Sequence, residues 1–143
     1  MRIGVLLLTC GLLLSGCGDT TTTPSPPTLN LTGTWTGTWT FFSGGSNVTD
    51  EVTMTLAQDA SGQSVAGQWS SIGNAGGTVS FAPTAEFTGT VTISRTLITG
   101  GNCSASTTLT GTASASQIRF TLGTLTPAGL CQWATSNQFI FTR

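Results

Sequence analysis

Bulky apolar residues alternate with threonine and serine along most of the chain after residue 30. One short pattern recurs there: an apolar residue, any residue, glycine, any residue and a second apolar residue. The copies are Leu31–Trp35, Trp35–Trp39, Val65–Trp69, Phe87–Val91 and Leu109–Ala113. Residues two apart in a β-strand share a face, so the glycines lie with the apolar residues and the threonines occupy the other face. This period of two predicts strands throughout, and no segment of the domain shows a convincing helical periodicity.

The pattern predicts eight strands, separated by turns rich in glycine, serine, asparagine and proline. The strands are expected at Thr32–Phe42, Val52–Gln58, Val65–Ser71, Thr78–Phe81, Phe87–Leu97, Ser104–Ala115, Gln117–Thr124 and Gln132–Arg143. Closely spaced strands with hairpin-like connections indicate an all-β fold, an eight-stranded antiparallel up-and-down barrel. Glycines among inward aromatic residues would bend the sheet sharply enough to close it. A compositional bias toward glycine and threonine is the alternative explanation of the repeats.

The alternation also predicts which residues fill the barrel. The expected inward set is Trp35, Trp39, Phe41, Val52, Met54, Leu56, Val65, Trp69, Val79, Phe81, Val91, Ile93, Leu97, Leu109, Ile118, Phe120, Leu122, Trp133, Phe139 and Phe141. The outward face is then mostly threonine and serine, which suits water. In a membrane-spanning barrel the apolar face would instead contact lipid, an alternative that turns the pattern inside out.

The N-terminal segment has a different composition from the rest of the chain. Arg2 precedes an apolar run, Ile3–Leu14, of about 12 residues, which is the length of a signal-peptide core and too short to span a bilayer as a helix. The run ends in Leu14-Ser15-Gly16-Cys17, which resembles the lipobox of bacterial lipoproteins. The resemblance implies cleavage before Cys17 and attachment of lipid to its sulfur. An ordinary secretory leader with an unrelated cysteine is the alternative.

The lipobox resemblance divides the chain into three parts. Residues 1–16 are expected to be the signal peptide, 17–28 a lipid-anchored tether and 29–143 the barrel domain. The tether is rich in threonine and proline and has no large apolar residue, so we expect it to be extended. The resemblance implies a membrane partner, bound through the N-terminal lipid, in the cell envelope. Asp19 lies one place after the position of the inner-membrane retention signal, which implies the outer membrane, facing the periplasm, in a Gram-negative cell.

The low charge of the chain excludes several classes of function. The formal net charge is −1, and the chain has no histidine, lysine or tyrosine. Nucleic acid is therefore not an expected partner, since phosphate binding needs clustered cations. A Ser–His–Asp or Cys–His catalytic arrangement is impossible without histidine. We expect no metal site and no cofactor, because cysteine and carboxylate spacing does not suggest one.

Carboxylates are the remaining candidates for catalysis. Asp50 and Glu51 are adjacent, so on a strand they point to opposite faces, and we expect them to be solvated charges at the start of a strand and not an acid/base pair. An enzymatic function would require Glu51 or Glu86 to converge with another polar group in a cleft. We therefore predict that the protein is not an enzyme.

Cys103 and Cys131 are the only thiols in the barrel domain. An exported chain meets an oxidising compartment, so we expect a disulfide between them. It would close a loop of about 28 residues and stabilise the domain by roughly 3–4 kcal/mol. Two free thiols are the alternative, and a catalytic redox pair is disfavoured because the CxxC spacing is absent.

Two segments resemble the small barrels of the lipocalin–avidin group. Gly33-Thr34-Trp35 is similar to their GxW signature, and Arg143 matches the arginine that packs across this tryptophan in lipocalins. The resemblance implies that Trp35 and Arg143 close the floor of the barrel. Leu31–Trp35 and Ala66–Ala75 are also similar to the first strand and second hairpin region of bacterial avidins, with a gap of about one residue.

The biotin-binding positions of avidins are mostly not matched. Trp69 stands where avidins have a tyrosine, and Gln138 is the nearest match to their aspartate. Ser71 and Asn74 alone have counterparts among the binding residues. The resemblance therefore implies the architecture and does not extend to biotin binding.

A small barrel either holds one ligand or fills its interior with side chains. The ligand hypothesis predicts a small apolar or amphipathic molecule against Trp39, Trp69 and Trp133. Arg95 would provide a polar contact to this ligand, because it is expected to point inward on the same face as Ile93. The alternative is a filled core with Arg95 in water beyond the rim, as expected of a structural or protein-interaction module of the envelope.

Overall fold

The computed structural model describes residues 29–43, 45–73, 75–96, 101–125 and 135–143. Its elements are β1 (Gly33–Ser43), β2 (Ser46–Gln58), β3 (Val65–Ser71), β4 (Ala75–Phe81), β5 (Glu86–Thr96), β6 (Asn102–Ala113), β7 (Gln117–Leu122) and β8 (Thr135–Thr142). Each strand is antiparallel to the next, and β1 also pairs with β8, which closes the barrel. The predicted all-β, eight-stranded up-and-down barrel is confirmed.

The largest difference from the predicted boundaries is at β2, which begins at Ser46 instead of Val52. The segment before Val52 lacks large apolar residues in alternation, so the sequence pattern missed it. Its backbone nevertheless continues the ladder with β1, through the pairs Phe42↔Asn47 and Ser43↔Ser46. Backbone hydrogen bonding, which needs no particular side chain, therefore extends this hairpin beyond the apolar core.

Alternate side chains of all eight strands fill the interior, as predicted. Within the predicted inward set, Phe41 and Leu122 are only partly buried, Leu97 and Trp133 lie outside the described residues, and the remaining members are buried. Buried apolar residues that the predicted set did not include are Leu31, Ala75, Phe87, Cys103, Ala113 and Leu125. Trp35, Phe120, Phe139 and Phe141 are among the largest fully buried side chains. The core is thus continuous from one end of the barrel toward the other.

Two of the repeated glycines lie where neighbouring strands approach very closely. A Cβ added at Gly37 would collide with the backbone oxygen of Ile140 on β8. A Cβ added at Gly111 would lie 2.7 Å from the Phe120 Cβ and 2.7 Å from the Phe87 Cζ. These contacts agree with the expectation that glycines among inward aromatics let the sheet curl tightly.

The two ends of the barrel are named by the direction of the odd-numbered strands. The floor is the end where β1, β3, β5 and β7 begin, and the upper end is where they finish. Between them the outer wall is rich in hydroxyls, some of them paired, such as Thr78 with Thr92 at 2.9 Å and Thr40 with Thr49 at 3.1 Å. Among the described residues no helix is long and apolar enough to cross a membrane.

Candidate functional site

The floor is closed by Arg143, which directly follows β8. The Arg143 guanidinium donates hydrogen bonds to the backbone oxygens of Asn30 at 2.9 Å, Thr32 at 3.2 Å and Ala115 at 2.8 Å. Its central carbon lies 4.4 Å from the centroid of the Trp35 ring, within the range of a cation–π contact. This is the arrangement that the lipocalin resemblance implies. The floor therefore has a structural role, since the tryptophan is wholly buried beneath the arginine.

Aromatic rings occupy the interior toward the upper end. Trp39 stacks on Phe139 with 5.5 Å between ring centroids and 4° between planes. Trp69 meets both rings edge-on, at 5.5 Å from Trp39 and 5.1 Å from Phe139. Trp39 is 6% exposed and Trp69 3% exposed. These two predicted ligand-binding residues are thus brought together, and in the structure they contact each other and Phe139.

The polar atoms of these tryptophans already have protein partners. Trp39 donates its indole N–H to the side-chain oxygen of Asn137 at 3.0 Å, and Trp69 donates its own to the backbone oxygen of Thr92 at 3.1 Å. A buried N–H without an acceptor would cost roughly 1–3 kcal/mol, so both bonds fix the orientation of the rings. The contacts are those expected of a packed core.

Sequence reasoning missed Asn137, which is 5% exposed and is the one buried polar side chain among the described residues. It shares the parity of Phe139 and Phe141, and this signal in the sequence was sufficient to place it inside the barrel. The ladder between β1 and β8 shifts register here, because Thr40 pairs with Gln138 but Phe42 pairs with Thr135. β8 therefore contains one extra residue, and bulges of this kind commonly re-aim a side chain.

The other predicted site residues are not part of this aromatic cluster as described. Arg95, near the end of β5, is exposed in water, although its ladder partners Ala75 and Cys103 are buried. Cys103 is buried on β6 at 3% exposure. Trp133, Cys131 and Cys17 lie outside the described residues, so the disulfide and the lipidation site stay predictions.

The outer wall carries a groove of about 500 Å³ that crosses β8, β1, β2 and β3. Hydroxyl side chains and one carboxylate, Glu51, provide much of its lining, and Ile72 lies at its edge. We call it the outer groove. Its lining residues are Thr36, Gly37, Thr38, Glu51, Val52, Thr53, Ser70, Ser71, Ile72 and Thr142. Inward–outward alternation alone could not reveal it, because a groove across four strands depends on the curvature of the closed sheet.

The carboxylates Asp50, Glu51 and Glu86 have different surroundings in the described part of the chain. Asp50 is directed toward the backbone of Gly73, where an added Cβ would collide with its carboxylate, whereas the neighbouring Glu51 lies in the outer groove. Glu86 lines a second depression of about 390 Å³ together with Thr88 and Thr110. Neither lining contains a second carboxylate. The described residues also contain no cluster of cysteine and carboxylate side chains that could hold a metal ion.

No protein-family model matches this chain, and no curated protein matches it either.

Proposed function

We propose that this protein is a lipid-anchored β-barrel of the cell envelope, with a filled core, that acts as a structural or interaction module through its outer wall. The observation that supports a filled core is the packing of Trp39, Trp69 and Phe139, whose rings contact one another at 5.1–5.5 Å. Both indole N–H groups bond to the protein. A ligand entering this region would have to displace aromatic contacts and break those bonds.

Native mass spectrometry of the full chain, purified from its own envelope, tests the filled core. We expect the mass of the lipidated chain without an additional small molecule. A co-purifying molecule, released on unfolding, would contradict this part of the proposal and favour a binding barrel.

The proposed anchor rests on Leu14-Ser15-Gly16-Cys17 and the proline-rich segment that follows. Two or more acyl chains hold a protein stably at a membrane, whereas a single chain binds only marginally. Replacing Cys17→Ser should abolish lipid attachment, so that the chain is found uncleaved or released from the membrane fraction. Fractionation and intact mass measure this, with Cys10→Ser in the leader as the matched control. Unchanged processing and membrane partitioning of C17S would refute the anchor.

A small apolar or amphipathic ligand at the upper end is the second candidate function. It is favoured by Phe41, which is only partly buried although its ring lies 4.3 Å from that of Trp39. Asn137 would supply a polar group beside these rings. Titration with a fatty acid, monitored by tryptophan fluorescence, would then show saturable binding. Trp39→Phe would remove this binding, and Trp35→Phe at the floor would leave it intact.

A further inference from the structure

We propose that the outer groove is a binding site for an uncharged oligosaccharide. This inference rests on the proposed function, in which the outer wall is the interaction surface, and it names the surface and the partner's chemistry. It is carried by three features that meet in one groove of about 500 Å³: several hydroxyls, a single carboxylate and an exposed apolar edge.

The groove is built on fixed backbone. Thr36 and Thr53 are direct cross-strand partners on β1 and β2, and Thr53 in turn pairs with Ser70 on β3. All three side chains are exposed on the outer wall. Because their strands belong to a closed barrel, the hydroxyls are held in register before any ligand arrives. A site organised in this way loses little conformational entropy on binding.

The apolar edge is also anchored. The backbone N–H of Ile72 bonds to the backbone oxygen of Glu51 at 3.2 Å, which ties the start of the β3–β4 turn to β2. The Ile72 side chain is nevertheless 74% exposed. A single exposed apolar residue is ordinary on a protein surface. Here it borders a polar groove, so that one site offers an apolar contact beside hydrogen-bonding groups.

Sugars present the complementary chemistry. Their hydroxyls both donate and accept hydrogen bonds, as do the serine and threonine hydroxyls of the groove. The Glu51 carboxylate accepts only, and it suits two neighbouring sugar hydroxyls, since charge-assisted bonds are stronger than neutral ones. The C–H face of a sugar ring can pack on Ile72 and on threonine methyl groups. The volume of the groove is within the range typical of small-ligand sites.

Other ligand classes fit the groove less well. None of the lining residues is lysine or arginine, and Glu51 would repel a phosphate or another anion. An extended peptide cannot add a strand here, because the four strands beneath the groove are paired on both sides within the closed barrel. A protein partner would be expected to cover a larger surface with an apolar centre. An uncharged sugar chain matches both the hydroxyl lining and the absence of cations from it.

The test is to titrate the purified full chain with maltotetraose, cellotetraose and chitotetraose and to measure the heat of binding by calorimetry. We expect saturable binding of at least one of them at up to millimolar concentration. Glu51→Ala should weaken it by about tenfold or more, since a charge-assisted hydrogen bond is lost. Thr53→Trp, which fills the groove, should abolish it, and Ile72→Ala should weaken it without touching the core. Glu86→Ala in the second depression is the matched control and should bind as the unchanged protein does.

Each contrary result overturns the inference in a recognisable way. Failure of all three sugars to bind removes the proposed ligand class, and so does saturable binding of inorganic phosphate that E51A strengthens. Binding that survives both E51A and T53W, in variants with an unchanged circular dichroism spectrum, places the sugar elsewhere. The I72A variant keeps the test decisive if T53W does not fold. Loss of the anchor or of the filled core would instead be detected by fractionation or native mass, with sugar binding intact.

Discussion

The floor of the barrel is held by one cation that bonds to backbone oxygens, whereas the upper end is held by stacked rings and one buried amide. Arg143 joins three separate parts of the chain at the floor: the entry to β1, the β6–β7 turn and the end of β8. At the upper end, Trp39, Trp69 and Phe139 fill the interior, and Asn137 satisfies an indole N–H.

The difference shows two ways of closing a barrel. Hydrogen bonds from Arg143 to carbonyls fix the positions of backbone segments, so the floor has little freedom to rearrange. Ring packing at the upper end depends on shape, and contacts of this kind can be remodelled by a change of side chain or by a ligand. The comparison is informative about function, because a binding barrel would have one loosely packed end and a structural barrel would have two filled ends.

Truncating a tryptophan at each end is the strongest test of this comparison. Trp35→Ala at the floor should lower the free energy of unfolding by about 3–5 kcal/mol, because a large cavity replaces a wholly buried ring. If the upper end is equally filled, Trp39→Ala should cost a similar amount. Urea unfolding of the two variants measures both values. A much smaller loss for W39A would indicate a loosely packed upper end and favour the small-ligand function.

The predicted Cys103–Cys131 disulfide would attach at the upper end of β6, where Cys103 lies. Intact mass under non-reducing conditions should show the exported chain two hydrogens lighter than its reduced form. Reduction, or the double change to alanine, should then lower stability by roughly 3–4 kcal/mol, since the unfolded chain regains the freedom of the closed loop. Labelling of both cysteines by a thiol reagent in exported protein would rule the bridge out. Trp35→Ala should lower the free energy of unfolding in both redox states, which separates the effect of the disulfide from that of the floor.

The two arginines of the opposite ends form a matched pair. Arg143→Met keeps the length of the side chain but removes three hydrogen bonds and the cation over Trp35, so we expect a loss of about 1–3 kcal/mol in the free energy of unfolding. Arg95→Met should change it by less than about 0.5 kcal/mol, as is usual for an exposed residue. Thermal unfolding compares the two variants. A large loss for R95M would mean that Arg95 has an essential partner at the upper end.

Strict alternation explains why most of the fold was predictable. Alternation places Trp35, Trp39 and Trp69 on the inward face of their strands, and each is buried as the pattern predicts. The packing of Arg143 on Trp35 was also predicted, and the guanidinium carbon lies 4.4 Å from the ring centroid. The start of β2 was not predicted, since the residues before Val52 are held by backbone pairing and not by apolar side chains.

Candidate sites were harder to predict than strands. Arg95 has inward parity and pairs with two buried residues, yet it is exposed, because parity does not say how close a residue lies to the end of the barrel. The outer groove was missed because it combines side chains from four strands, and their juxtaposition depends on barrel curvature. Glu51 was recognised as a candidate only on condition that it met other polar groups in a cleft. The structure brings Glu51 together with hydroxyl groups in the outer groove, so this condition is met there.

The smallest expected effect is on the stability of the folded chain in acid, and it tests how firmly the floor is fixed. Asp59, in the β2–β3 turn at the floor, accepts hydrogen bonds from the Ser61 hydroxyl at 2.7 Å and from the backbone N–H groups of Gln63 and Ser64 at 2.9 and 3.1 Å. The bond from the Ser61 hydroxyl, followed by backbone N–H bonds, holds the pKa of this carboxyl below its ordinary value of 3.8. The folded state therefore favours the charged carboxylate.

A lowered pKa in the folded state fixes the sign of the pH dependence. The contribution of Asp59 should be fully present above the unfolded pKa and lost as the pH falls through the folded one. Asp59→Ala should therefore destabilise the protein slightly near neutral pH and have no effect in strong acid, as measured by urea unfolding across this range. Ser114→Ala is the control, because the Ser114 hydroxyl accepts the Gln117 N–H at 3.1 Å in another floor turn and carries no charge. A difference between the unchanged protein and D59A that persists in strong acid would show that the turn depends on packing or backbone preference and not on the carboxylate charge.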